Sequence, residues 1–175
     1  MACGGRFVAP HWRMRARMDR FVSNTVLRLD AKGRVSIPAS FRSVLTRDGY
    51  AGLLCYPALD QPAVDAGGQA LLAEIESLIA RFPPYSPQRE EFRVALYGRS
   101  ETVNIDGEGR AVLSDELKSH AGITDAVAFV GLGHKFQIWE PQRFRAHLAQ
   151  ATATVRALTK RLGAERPVAD DGARE

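Results

Sequence analysis

The stretch LDAKGRVSIPASFR, residues 29–42, places a polar turn from Asp30 to Arg34 between two short apolar runs and follows it with a proline. Upstream, Leu27 and Leu29 alternate with Val26 and Arg28; downstream, Val35 and Ile37 alternate around Ser36. A period of two marks a strand, so two short strands flank the turn. Asp30 suits the turn because a carboxylate there accepts from the N–H groups just ahead, and Gly33 suits it because glycine tolerates positive φ. Pro38 fits the first turn of a helix whose apolar face is Phe41, Val44 and Leu45 and which Gly49 ends.

The stretch occurs twice. IDGEGRAVLSDELK, residues 105–118, aligns on it without gaps at a shift of 76 residues, keeping Asp, Gly and Arg and exchanging Leu for Ile, Ile for Leu, Phe for Leu and Arg for Lys. Matching apolar exchanges make this an internal repeat, and two units of about 40 residues follow. In the second unit Val103, Ile105, Ala111 and Leu113 alternate, Ser114 is placed as an N-cap, Leu117 and Ala121 form a helical face, and Gly122 is the stop. AGLLCYP at 51–57 completes the first unit as an apolar strand; AVAFVGL and KFQIWEP, from 126 to 141, complete the second. Tyr56 and Trp139 then close their units at equivalent places before a proline-containing turn.

Between the units, Leu71, Leu72, Ile75, Leu78, Ile79 and Phe82 share one side of a helix over 69–82, bracketed by Gly67 and Gly68 before and Pro83 and Pro84 after. A second helix runs from Pro87 to Tyr97 with Ser86 as its cap. Phe144, Leu148, Val155, Leu158 and Leu162 mark a C-terminal helix. The chain thus divides into an N-terminal segment 1–17, a first repeat 24–62, a helical connector 63–98, a second repeat 99–142, a C-terminal helix 143–162 and a polar tail 163–175 expected to be disordered.

With 175 residues, 45% hydrophobic and 25% charged, the composition is that of an ordinary globular protein. The sequence shows neither a membrane-length apolar run nor a secretory leader, which predicts a cytoplasmic protein. The two cysteines, Cys3 and Cys55, make neither a disulfide framework nor a zinc cluster. The formal charge is +4, and Arg6, Arg13, Arg15 and Arg17 alone supply it. Its distribution is more informative: residues 18–57 hold six Lys or Arg against three Asp, whereas residues 58–92 hold two against six Asp or Glu. The first repeat therefore presents the basic surface.

The paired D-x-K-G-R and D-x-x-G-R turns, the IPASFR that follows the first, and the closing GHKFQIWEPQRF resemble the MraZ family of bacterial transcriptional regulators, built from two SpoVT-AbrB-type repeats. The resemblance covers residues 18 to about 150. It implies an α+β, mostly β, fold in which tandem swapped-hairpin repeats form a pseudo-twofold, β-barrel-like core with flanking helices. It also implies homo-oligomeric rings that bind repeated boxes of double-stranded DNA upstream of the division and cell-wall gene cluster containing the family member's own gene, repress there, and associate with the nucleoid. Family members commonly begin near MDRFVSN, here at Met18, so residues 1–17 read as an extension or a misassigned start; a basic arm entering a minor groove is the alternative.

The resemblance places DNA contact on the first-repeat turn, where Lys32, Arg34 and Arg28 supply the cations that phosphates and guanine edges demand. Lys32 is not needed for a corner, and its counterpart is the acidic Glu108. Asp30 and Arg34 recur as Asp106 and Arg110, so the two arginines are also candidates to brace their own turns; Arg110 completes the DNA-contact set with a smaller share. No cofactor, membrane or small-molecule substrate is implied. His11, His120, His134 and His147 lack metal-ligand spacing, GLGHK lacks the helix of a phosphate loop, and no nucleophilic set is recognisable, so enzyme activity is not expected. The competing function is an oligomeric structural or protein-interaction module without specific DNA binding.

Overall fold

The computed structural model describes residues 20–164. The 1–17 segment and all but the first two residues of the polar tail lie outside them. In chain order the elements are β1 (Asn24–Arg28), β2 (Arg34–Ser36), α1 (Ala39–Asp48), β3 (Leu53–Pro57), β4 (Ala63–Gly67), α2 (Gln69–Ile79), α3 (Pro87–Leu96), β5 (Glu101–Val103), β6 (Arg110–Val112), α4 (Asp115–Ala121), β7 (Ala126–Gly131), β8 (Phe136–Trp139) and α5 (Pro141–Ala164).

Local chemistry sets most of these boundaries. Gly49 and Gly122 end α1 and α4 in the left-handed region, at φ 74° and 70°. Ser114 Oγ accepts from Leu117 N at the start of α4, and Ser86 Oγ from Arg89 N at the start of α3. Pro38 stands one place earlier than expected, capping α1 from outside.

The sheets carry the repeat. A six-stranded antiparallel sheet has the order β1-β7-β8-β4-β3-β5, and β2 pairs only with β6 in a separate ribbon. Exchanging the units, β1 for β5, β3 for β7 and β4 for β8, turns the six-strand order into its own reverse. In the ribbon Val35 pairs with Ala111, its own counterpart at the shift of 76, and Arg34↔Val112 mirrors Ser36↔Arg110.

This order corrects two expectations. The sheet is open, with β1 and β5 at its two edges and no hydrogen-bonded ladder between them, so the core is not a closed barrel. The first strands of each hairpin join the sheet while the second strands pair with each other, and that leaves a layer over a sheet instead of a ring. Second, β4 stands where the helical connector was expected to begin; helix starts only at Gln69. Tyr56 on β3 therefore corresponds to β7, while Trp139 on β8 corresponds to β4, and the two aromatics are not equivalent.

Between the ribbon with α1 and α4 on one side and the sheet on the other lies the main core. Phe21, Phe41, Phe129 and Phe136 are all within 2% of complete burial, with ring centroids 4.9 to 6.3 Å apart. Such edge-to-face and tilted contacts suit the aromatic quadrupole. Val35, Ile37, Ala111 and Leu113 come down from the ribbon, and Leu53, Cys55, Val64 and Val127 rise from the sheet. Alternate residues of β3, Leu54 and Tyr56, face the other way and are covered by Leu71, Ile75 and Ile79 of α2 and Leu96 of α3. Trp139 and Phe144 form a third cluster under the start of α5. Burial on both faces is why β3 reads as an unbroken apolar run.

At 24 residues α5 is about 36 Å long. Phe144 is buried at its root, but Leu148, Val155, Leu158 and Leu162 are exposed. Among the described residues no helix is long and apolar enough to cross a membrane.

Candidate nucleic-acid interface

Both turns are built on one hydrogen-bond scaffold. Asp30 Oδ1 accepts from the main-chain N–H groups of Lys32 and Arg34 at 2.8 and 2.9 Å, and Asp106 Oδ1 accepts from those of Glu108 and Arg110, each at 2.9 Å. Asp30 N donates to Arg34 O and Gly33 N to Asp30 O; Asp106, Gly109 and Arg110 repeat the pattern. Gly33 and Gly109 sit at φ 72° and 80°, where glycine avoids the strain that other residues meet. The Arg34 main-chain N–H holds the Asp30 carboxyl below its ordinary value, and the Arg110 N–H does so for Asp106, with the arginine side chains adding to each.

The arginines brace these turns. Arg34 Nε donates to Asp30 Oδ2 at 2.6 Å and Arg110 Nε to Asp106 Oδ2 at 2.9 Å. Arg110 is more committed, because its Nη1 also pairs with Glu108 Oε2 at 2.6 Å. The bond to Asp106, reinforced by Glu108, pushes the Arg110 guanidinium further above its ordinary value. Lys32 is exposed, and its ammonium makes no ion pair or hydrogen bond with the described residues. One turn therefore presents a cation to solvent where the other presents a carboxylate.

Antiparallel pairing sets the turns at opposite ends of one surface. Val35 and Ala111 point into the core, so Arg34, Ser36, Arg110 and Val112 form the outer face of the β2–β6 ribbon. Arg34 and Arg110 are diagonal on it, two residues or about 7 Å apart along the strands. Arg28 is exposed at the end of β1, just before the first turn. From Arg28 to Arg34 three cations face one carboxylate; from Asn104 to Arg110 one cation faces two.

Arg42 belongs to this region and was not singled out by the sequence. Its Nε donates to Ile37 O at 3.2 Å, and its guanidinium lies so close over Gly109 that a Cβ there would approach Nη1 to 2.5 Å. The signal was the Arg-for-Lys exchange between the repeats: its counterpart, Lys118, instead pairs with Asp115 at 2.8 Å and leaves Gly33 uncovered. The described histidines are dispersed. His120 Nε2 meets Gln61 O at 3.1 Å, His147 stacks on Trp139, and His134 pairs with Glu74. Among the described residues no three His, Cys, Asp or Glu are grouped as a metal site.

The chain is 64% identical to a protein of Xanthobacter autotrophicus named Transcriptional regulator MraZ, over 86% of this chain and 97% of that one. The chain belongs to the MraZ family. A family model described as "MraZ protein, putative antitoxin-like" matches residues 96–164. MraZ relatives of the same name in Azorhizobium caulinodans and Methylocella silvestris are 64% and 54% identical, over 83% and 90% of this chain and 93% and 100% of theirs.

Proposed function

We propose that this MraZ-family chain is a sequence-specific, DNA-binding transcriptional regulator, a repressor of its own operon in the bacterial division and cell-wall cluster, working in the cytoplasm at the nucleoid. Its partners are double-stranded DNA with repeated promoter boxes and further copies of itself in a ring. The relatives are named as transcriptional regulators. One observation carries the choice of surface: two turns with the same internal scaffold differ in that the first leaves Lys32 uncommitted to any described partner, while the second ties Arg110 to Glu108. Lys32 is the phosphate contact, with Arg28 beside it. Arg34 directs the remaining guanidinium N–H groups outward from a braced position, and Arg110 contributes less.

The two units are taken as SpoVT-AbrB-type repeats, with 24–62 and 99–142 as their cores. A two-stranded ribbon has the width of the major groove, and a single turn offers too few phosphate contacts for useful affinity. Several copies on one DNA make later contacts intramolecular. The exposed apolar residues of α5 supply a surface for that assembly. The test is a gel shift of the purified chain against the DNA upstream of its gene, with a scrambled duplex as control. Retardation of the native duplex alone supports the proposal, and equal retardation of both contradicts it.

A further inference from the structure

Away from the turns, on the opposite face of the sheet, a cavity of about 250 Å³ opens between α2 and strands β3, β4 and β8. Its floor is polar. Asp65 lies at the centre of the sheet with its side chain 8% exposed, paired across the strands with Tyr56 and Gln137. Lys135 Nζ donates to Asp65 Oδ2 at 2.9 Å and Gln137 Nε2 to Oδ1 at 2.8 Å, while Gln137 Oε1 accepts from Trp139 Nε1 at 2.9 Å. Burial, and then the Asp65 carboxylate, push the Tyr56 hydroxyl up from its ordinary value. A buried ion pair is seldom more stabilising than an apolar pair of the same volume, so folding alone does not account for this floor.

The remaining lining defines what the cavity accepts. Ile75, Leu78 and Leu96 form an apolar wall, and Asp60 and Glu74 stand at the rim. With Asp65 matched by Lys135, and Glu74 engaged by His134 through Oε2 alone, the free acceptors at the rim are the Asp60 carboxylate and the second oxygen of Glu74. The volume is below that of sites for drug-sized ligands and suits a short aliphatic stem carrying one charged head.

We propose that this cavity is a binding site for an alkyl-guanidinium or alkyl-ammonium group, its stem against Ile75, Leu78 and Leu96 and its head between Asp60 and Glu74 over the Tyr56 and Asp65 floor. The same chemistry has two sources: a free amine, or an arginine side chain of a polypeptide, for which the Arg6, Arg13, Arg15 and Arg17 of this chain qualify.

n-Butylguanidinium serves as the probe, titrated at pH 7.5 into the full chain and into the chain beginning at Met18, with the methyl resonances of Ile75, Leu78 and Leu96 observed. Saturable binding below about 1 mM, shifting those methyls, is expected for a site of this kind. Equal affinity for the two chains assigns a free amine; affinity that rises on truncation assigns the chain's own arginines as competitor. The double variant Asp60→Asn, Glu74→Gln, both residues exposed and outside the core, should weaken binding at least tenfold. Asp115→Asn on α4 should leave it unchanged. No saturable shift in either chain, or equal binding by the double variant, overturns the proposal.

Discussion

Replacing Lys32 by alanine tests the division of labour between the two turns. Lys32 is exposed at a tip where its main-chain N–H, not its side chain, completes the Asp30 scaffold, so the fold and the turn survive the change. Each phosphate contact removed lowers the slope of log K against log salt by about 0.9. If two copies of the first turn engage one duplex, the slope falls by about 1.8, and binding between about 50 and 200 mM salt then changes about 12-fold less than for the unaltered chain. Glu108→Ala has the opposite sign: it removes a tip carboxylate and frees Arg110 Nη1 from its 2.6 Å pair, so the slope stays the same or steepens. Fluorescence anisotropy of a labelled upstream duplex, at four or five salt concentrations, measures all three. A Lys32→Ala slope equal to that of the unaltered chain would refute the reasoning, whatever the change in absolute affinity.

Asp30 and Asp106 titrate below the ordinary 3.8 in the folded state. The stability they confer is complete above that value and is lost as pH falls through the lower folded one; thermal melts of Asp106→Asn should therefore be less steeply destabilised than the unaltered chain below about pH 4 and follow the same trend above it. Phe136→Ala opens the aromatic core beneath the ribbon, at a cost of about 3–5 kcal/mol and a fall in Tm of about 6–20 °C, read by circular dichroism. Leu158→Glu puts a charge in the exposed apolar surface of α5; light scattering should show a smaller assembly with the circular dichroism spectrum retained.

The parts that the sequence disclosed were those governed by local chemistry. Asp30 and Gly33 announced a turn because their roles need no distant partner, and Gly49, Ser86, Ser114 and Gly122 marked helix ends for the same reason. Strand β4 was hidden. AVDAG is short, carries a carboxylate and small residues, and breaks the period of two, because both its faces are buried and Asp65 draws its partners from the neighbouring β8 and the residue preceding it. Missing β4 led to the false equivalence of Tyr56 and Trp139. The bracing role of the arginines was visible as one of two readings, since Asp and Arg recur together. What singled out Lys32 was the tip difference itself, but the commitment of Arg110 to two carboxylates, and the cover that Arg42 gives Gly109, needed coordinates.

In the proposed function DNA lies on the first turn and not on its twin. A photoreactive phenylalanine at Ala31, or at its counterpart Gly107, tests this most directly: Ala31 is exposed, and a Cβ at Gly107 has nothing within 4 Å, so neither change displaces the turn. On irradiation with the upstream duplex, position 31 should crosslink to DNA and position 107 should give little or none. Equal crosslinking from both, or crosslinking from 107 alone, contradicts the account.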